Sequence, residues 1–65
     1  MTIEERLEKA INYHLENADI DELTRHFYWY DCSCLEDLRH TMYESYLGNY
    51  EGKELEERIK MLYGV

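Results

Sequence analysis

Sixty-five residues carrying fifteen Asp and Glu against seven Lys and Arg have a net charge of −8, which repels phosphate backbones and anionic membrane surfaces and argues against direct contact with DNA, RNA or lipid. A chain this short forms one domain with a thin core, burying only about 60% of the surface its unfolded form exposes, and it has little wall to spare for a substrate pocket. Neither a catalytic signature nor a nucleotide-binding loop occurs in it, so a non-enzymatic protein without a cofactor is expected, for which pairing with a second copy is one way to extend the buried surface.

The chain has no proline, and its glycines are Gly48, Gly52 and Gly64, so helix ends before residue 48 must be set by caps. Thr2 and Glu5 form a Thr-x-x-Glu capping box. Ile3, Leu7, Ala10, Ile11, Leu15 and Ala18 then stripe one face of a helix from about Ile3 to Asn17 or Ala18. The opening stretch MTIEERLEK has no leader-like apolar segment, and no apolar run approaches the roughly 18 residues of a membrane span, so a cytoplasmic location is expected.

Asp19 with Glu22 caps a second helix, Ala18 and Leu23 are spaced as a hydrophobic staple, and Ile20, Leu23, Phe27 and Tyr30 keep the helical period. Its last turn is the aromatic run His26-Phe27-Tyr28-Trp29-Tyr30. Aromatics favour sheets, but no second strand-like run exists to pair with this one. Ser33 with Glu36 reads as a third capping box, for a helix from about Cys34 to Leu47 striped by Leu35, Leu38, Met42 and Tyr46, with Gly48 suited to stop it in a left-handed conformation. A fourth helix turns Leu55, Ile59 and Leu62 inward, carries Glu54–Arg58 and Glu56–Lys60 as outward i,i+4 pairs, and ends at Gly64. The expected fold is a single all-α domain over residues 1–65, a small bundle of about four short amphipathic helices.

Ten acidic and three basic residues precede a cut after Asp37, a balance of −7, against five and four after it, a balance of −1. Glu5, Asp19, Asp21, Glu22, Glu36 and Asp37 fall in first helical turns, where carboxylates offset the helix dipole. Glu8, Glu16 and Asp31 have no such role, and with the cap carboxylates they make a candidate acidic face for a basic partner. A solvated charged surface accounts for the same residues. In size and charge, though in no alignable segment, the chain resembles the small acidic, mostly phage-encoded proteins that mimic DNA and occupy the nucleic-acid site of a nuclease, glycosylase or polymerase.

Seven of the nine aromatics are tyrosines. Phe27, Tyr30 and Tyr46 lie on core stripes, whereas Tyr28 and Trp29 lie off the Ile20, Leu23, Phe27 line, and Tyr13, Tyr43, Tyr50 and Tyr63 exceed what so small a core absorbs. Exposed beside Asp31, Tyr28 and Trp29 would anchor a partner; otherwise Trp29 wedges a helix junction. His26-x5-Cys32-x-Cys34-x5-His40 holds four residues of zinc-binding type, but Cys-x-Cys at a helix start converges less readily than the wider spacing of zinc knuckles, so no metal is expected there. Cys34 with His26 or His40 matches a nucleophile and base in composition only, and two cysteines this close are poorly placed to bridge each other. His14, near the apolar stripe of the first helix, reads as a hydrogen-bonded core histidine.

The expected partner-binding set is Glu8, Glu16, Asp19, Asp21, Glu22, Tyr28, Trp29, Asp31, Glu36 and Asp37. Its most concrete form is a phage or mobile-element inhibitor of a nucleic-acid-binding host protein such as a restriction or CRISPR nuclease or a polymerase. A small homo-oligomeric regulator or accessory subunit with a Tyr/Trp-lined interface is the rival expectation.

Overall fold

Caps that are local in sequence set the first two helices. In the computed structural model, which describes residues 1–64, α1 spans Ile3–Asn17 and α2 spans Ile20–Tyr30. The Thr2 hydroxyl accepts from the Glu5 N–H and donates to the Glu5 carboxylate, both at 3.2 Å. Asp19 Oδ1 accepts from the Glu22 N–H at 2.7 Å. Each cap satisfies an N–H group that a first turn leaves unpartnered, contributing about 1 kcal/mol.

The third helix departs from expectation at both ends. α3 spans Leu35–Asn49, so its N-cap residue is Cys34 and no side chain caps its first turn. Extended backbone at Cys34 (φ −141°, ψ 160°) starts the helix one residue later than expected, leaving Ser33 outside it and the Ser33–Glu36 box unformed. Gly48 lies within α3 and has no positive φ; the helix continues to Asn49, whose side chain donates to the Ser45 carbonyl at 2.7 Å. A helix-interior glycine costs backbone entropy but breaks no hydrogen bond, which is why Gly48 fails to stop α3. The left-handed glycine is instead Gly52 (φ 59°), the N-cap of α4, Lys53–Leu62, with Gly64 beyond the end of that helix.

The core is centred on α1. Leu7, Ala10, Ile11 and Leu15 are buried against Leu38 and Met42 of α3 and Leu55, Ile59 and Leu62 of α4. Burying a Leu or Ile fully is favourable by about 1.5–3 kcal/mol, so this layer dominates stability. α2 packs on α3 through the half-buried Leu23, Phe27 and Tyr30 and buries no side chain completely. Two residues expected in apolar stripes are displaced from the core: Ile20 is 80% exposed and Leu35 37%. Each opens its helix, where no neighbouring element covers the first turn.

The outward pairs expected on α4 are also redrawn. Glu56 accepts from Arg6 of α1 at 2.8 Å instead of pairing with Lys60, and Arg58 lies over the Tyr50 ring, 4.5 Å from its centroid. Over the described residues the result is an all-α four-helix domain with a radius of gyration of 11.2 Å, near the roughly 10.7 Å of a compact chain this long. Among the described residues no helix is long and apolar enough to cross a membrane.

Candidate functional site

α2 turns its aromatic end outward. Tyr28 is 88% and Trp29 79% exposed. Helical spacing aligns Asp21, Arg25 and Tyr28 in one row and Glu22, Arg25 and Trp29 in the next, so one of the three cations of the acidic half stands among the carboxylates. The helix ends at Asp31 in the left-handed conformation (φ 52°, ψ 48°), with the Cys32 N–H donating to the Phe27 carbonyl at 3.0 Å and the Asp31 N–H to the Tyr28 carbonyl at 3.3 Å. These are the two bonds of a Schellman closure. Asp31 is thus an acidic residue at the negative end of a helix dipole, in a conformation glycine or asparagine prefers.

Of the other expected contact residues, Glu8, Glu16, Asp19, Asp21, Glu36 and Asp37 are exposed. Glu8 and Glu36 border one open groove of about 450 Å³ between α1 and α3, together with Arg39 and Tyr43. The Arg39 Nε in that region is buried without a hydrogen-bond partner. Glu22 alone of the ten is half-buried. The fold therefore gathers Glu8 with Glu36, and Tyr28 and Trp29 with Asp31, while Glu22 is drawn elsewhere.

Glu22 joins two imidazoles. His14 Nε2 on α1 stands 3.1 Å from His26 Nε2 on α2, and Glu22 Oε1 is 3.4 Å from the former and 4.0 Å from the latter. The side chains of His14, His26 and Glu22 are 12, 23 and 34% exposed. His14 Nδ1 lies 3.4 Å from the Leu62 carbonyl at the end of α4. A carbonyl only accepts, so Nδ1 carries a proton, and in the neutral ring Nε2 is left as a lone pair facing the cluster. Burial, reinforced by His14 and Arg25 against the pull of Glu22, holds the His26 imidazole below its ordinary pKa, favouring the neutral ring. Among the described residues these three form the one group of histidine, cysteine or carboxylate side chains close enough to share a metal ion.

The sequence pattern around the cysteines does not assemble. His26 turns to His14, the exposed His40 pairs with Glu44 at 3.0 Å, Cys34 is exposed, and the free thiol of Cys32 lies 3.4 Å from the Thr41 hydroxyl. The signal for the real cluster was Glu22-x3-His26, an i,i+4 pair on one face of α2, but its third member comes from another helix. His14 is indeed hydrogen-bonded and largely buried, though at the edge of the core instead of within it. The core does not absorb all four of the remaining tyrosines: Tyr43 and Tyr50 pack on it, while Tyr13 and Tyr63 meet at a tilt, centroids 5.1 Å apart, and remain exposed.

Fold and surface together define a small acidic helical domain with an exposed aromatic helix face and a buried-edge histidine cluster. No protein-family model, curated protein or solved structure matches the chain.

Proposed function

We propose that the chain is a non-enzymatic interaction module of the cytoplasm that binds a protein with a basic, nucleic-acid-binding surface through α2 and the carboxylates around it. The observation that carries this reading is the exposure of Tyr28 and Trp29 on a helix that buries no side chain completely. Tyrosine and tryptophan supply the anchors of protein interfaces, and a net charge of −8 steers the chain towards a cationic groove. Asp31 adds support, because a residue that is locally unfavourable yet placed beside the aromatics suits a surface chosen for contact. The concrete form is a phage or mobile-element inhibitor that blocks a restriction or CRISPR nuclease or a polymerase by occupying its nucleic-acid site.

The test is capture of the tagged protein's partner from nuclease-treated host lysate, followed by competition with duplex DNA and a salt titration. A partner displaced by DNA and released by salt is expected. Binding should fall at least tenfold for Trp29→Ala, a loss of about 1.4 kcal/mol or more, and on charge reversal of Glu8, Glu16 and Asp31, without loss of helicity. A partner indifferent to DNA, salt and these changes would remove the basis of the proposal.

The exposed Tyr13–Tyr63 pair, with Met61 also exposed on α4, favours a second reading: a homo-oligomeric regulator or accessory subunit joined through that face. Sedimentation distinguishes it, since a dimer of this kind should dissociate on Tyr13→Ala and be unaffected by Trp29→Ala.

A further inference from the structure

We infer that His14, Glu22 and His26 form a binding site for one zinc-class divalent ion, which pins α2 to α1. The in-plane point equidistant from the three donor atoms lies roughly 2.1 Å from each, the length of a zinc–imidazole or zinc–carboxylate bond. A tetrahedral ion at that distance holds its ligands about 3.4 Å apart, and the separations here are 3.1, 3.4 and 4.0 Å. Only the Glu22–His26 edge is long. Glu22 is the most exposed of the three, so a small rotation of its carboxylate closes that edge.

The protonation chemistry agrees with the geometry. With the His14 Nδ1–H directed to Leu62 and both rings neutral, the three converging atoms have at most one proton among them, on His26 Nε2. One hydrogen cannot satisfy both a carboxylate oxygen and an imidazole lone pair with good geometry. A cation serves all three once His26 takes its Nδ1-protonated tautomer. The Leu62 carbonyl then plays the outer role usual for a metal-bound histidine, fixing the tautomer and orientation of His14. Two imidazoles and one carboxylate suit zinc and its transition-metal neighbours, whereas calcium and magnesium take oxygen ligands. Three protein ligands leave the fourth position to water, which reaches the site along the exposed side of Glu22.

The ion would act where the fold is weakest. α2 is held to α3 by half-buried side chains only, so a bond from His14 on α1 to Glu22 and His26 ties down the helix that displays Tyr28 and Trp29. The inference does not depend on the proposed partner, and its test needs none.

The experiment is titration of reduced, metal-free full-length protein with zinc by calorimetry and with cobalt(II) by absorption, beside thermal unfolding with and without zinc. One ion per chain is expected, with the visible bands of a four- or five-coordinate cobalt site and without the intense near-ultraviolet absorption of thiolate ligation. The melting temperature should rise with excess zinc. His14→Gln and His26→Gln should each weaken binding about tenfold or more, and Glu22→Gln, which keeps size and hydrogen bonding, should weaken it too. Glu44→Gln, at the exposed His40–Glu44 pair, should leave it unchanged. Circular dichroism of the metal-free variants separates lost binding from lost folding. The absence of stoichiometric uptake at micromolar concentrations, thiolate charge-transfer bands, or uptake by folded His14→Gln and His26→Gln equal to that of the parent would each overturn the assignment.

Discussion

At Asp31 the backbone closes α2 in the left-handed region, φ 52° and ψ 48°, and a carboxylate stands where helix carbonyls already concentrate negative charge. Asparagine keeps the shape, tolerates that conformation at least as well and removes the repulsion. Asp31→Asn should therefore raise stability by about 0.3–1 kcal/mol in urea denaturation, while weakening any complex formed through the Tyr28 and Trp29 face. A variant that lost stability instead would show that the Asp31 carboxylate has a structural role. Single residues were unevenly legible in the sequence. The off-stripe positions of Tyr28 and Trp29 left an exposed anchor and a wedged helix junction both open, and the two side chains face outward, since helical periodicity reports which way a side chain faces. Periodicity does not report whether another helix lies there to cover it. Ile20 keeps the apolar period and is nevertheless exposed.

Element boundaries divide along the same physical line. Thr2 and Asp19 cap through bonds to backbone three residues away, interactions contained in the local sequence. α3 has no such bond at its start, and its glycine occupies ordinary helical backbone. A Cβ added at Gly48 would meet nothing within 4 Å. Gly48→Ala should consequently stabilise the domain by about 0.5–1 kcal/mol, the helix-interior difference between the two residues. Gly52, with φ 59° and ψ −128°, occupies a region closed to side-chain-bearing residues, so Gly52→Ala should cost about 1–3 kcal/mol. Paired denaturation curves check both signs at once; destabilisation by Gly48→Ala would mean that the helix does not run through this position. The histidine cluster was hidden for a related reason. Glu22 and His26 are neighbours on α2, but the approach of His14 is a property of how α1 and α2 cross, and sequence proximity drew attention to Cys32, Cys34 and His40 instead.

For the whole molecule, the contact between α2 and α3 carries a titration that the buried layer around α1 lacks. Tyr30 and Tyr46 pack half-buried against the core, and burial pushes both phenols above their ordinary value. The Ser45 hydroxyl tempers the shift at Tyr30, while Tyr30 and Tyr50 add to that of Tyr46 and Arg58 opposes it. A phenol whose folded pKa exceeds its unfolded value, about 10, stabilises the fold fully below that pH, because both states are then protonated. Above it the unfolded chain ionises first, so stability falls as pH rises from about 10 towards the folded pKa. Tyr46→Phe keeps the ring in place and cannot ionise. Against the parent, it should show a shallower loss of stability across that alkaline window and the same profile near neutrality, measured by urea denaturation at stepped pH. Lysine deprotonation affects parent and variant alike, so the difference isolates Tyr46. Identical alkaline slopes would mean that the Tyr46 hydroxyl reaches water in the folded state and that α2 sits more loosely on α3 than the packing around Phe27 and Tyr30 implies.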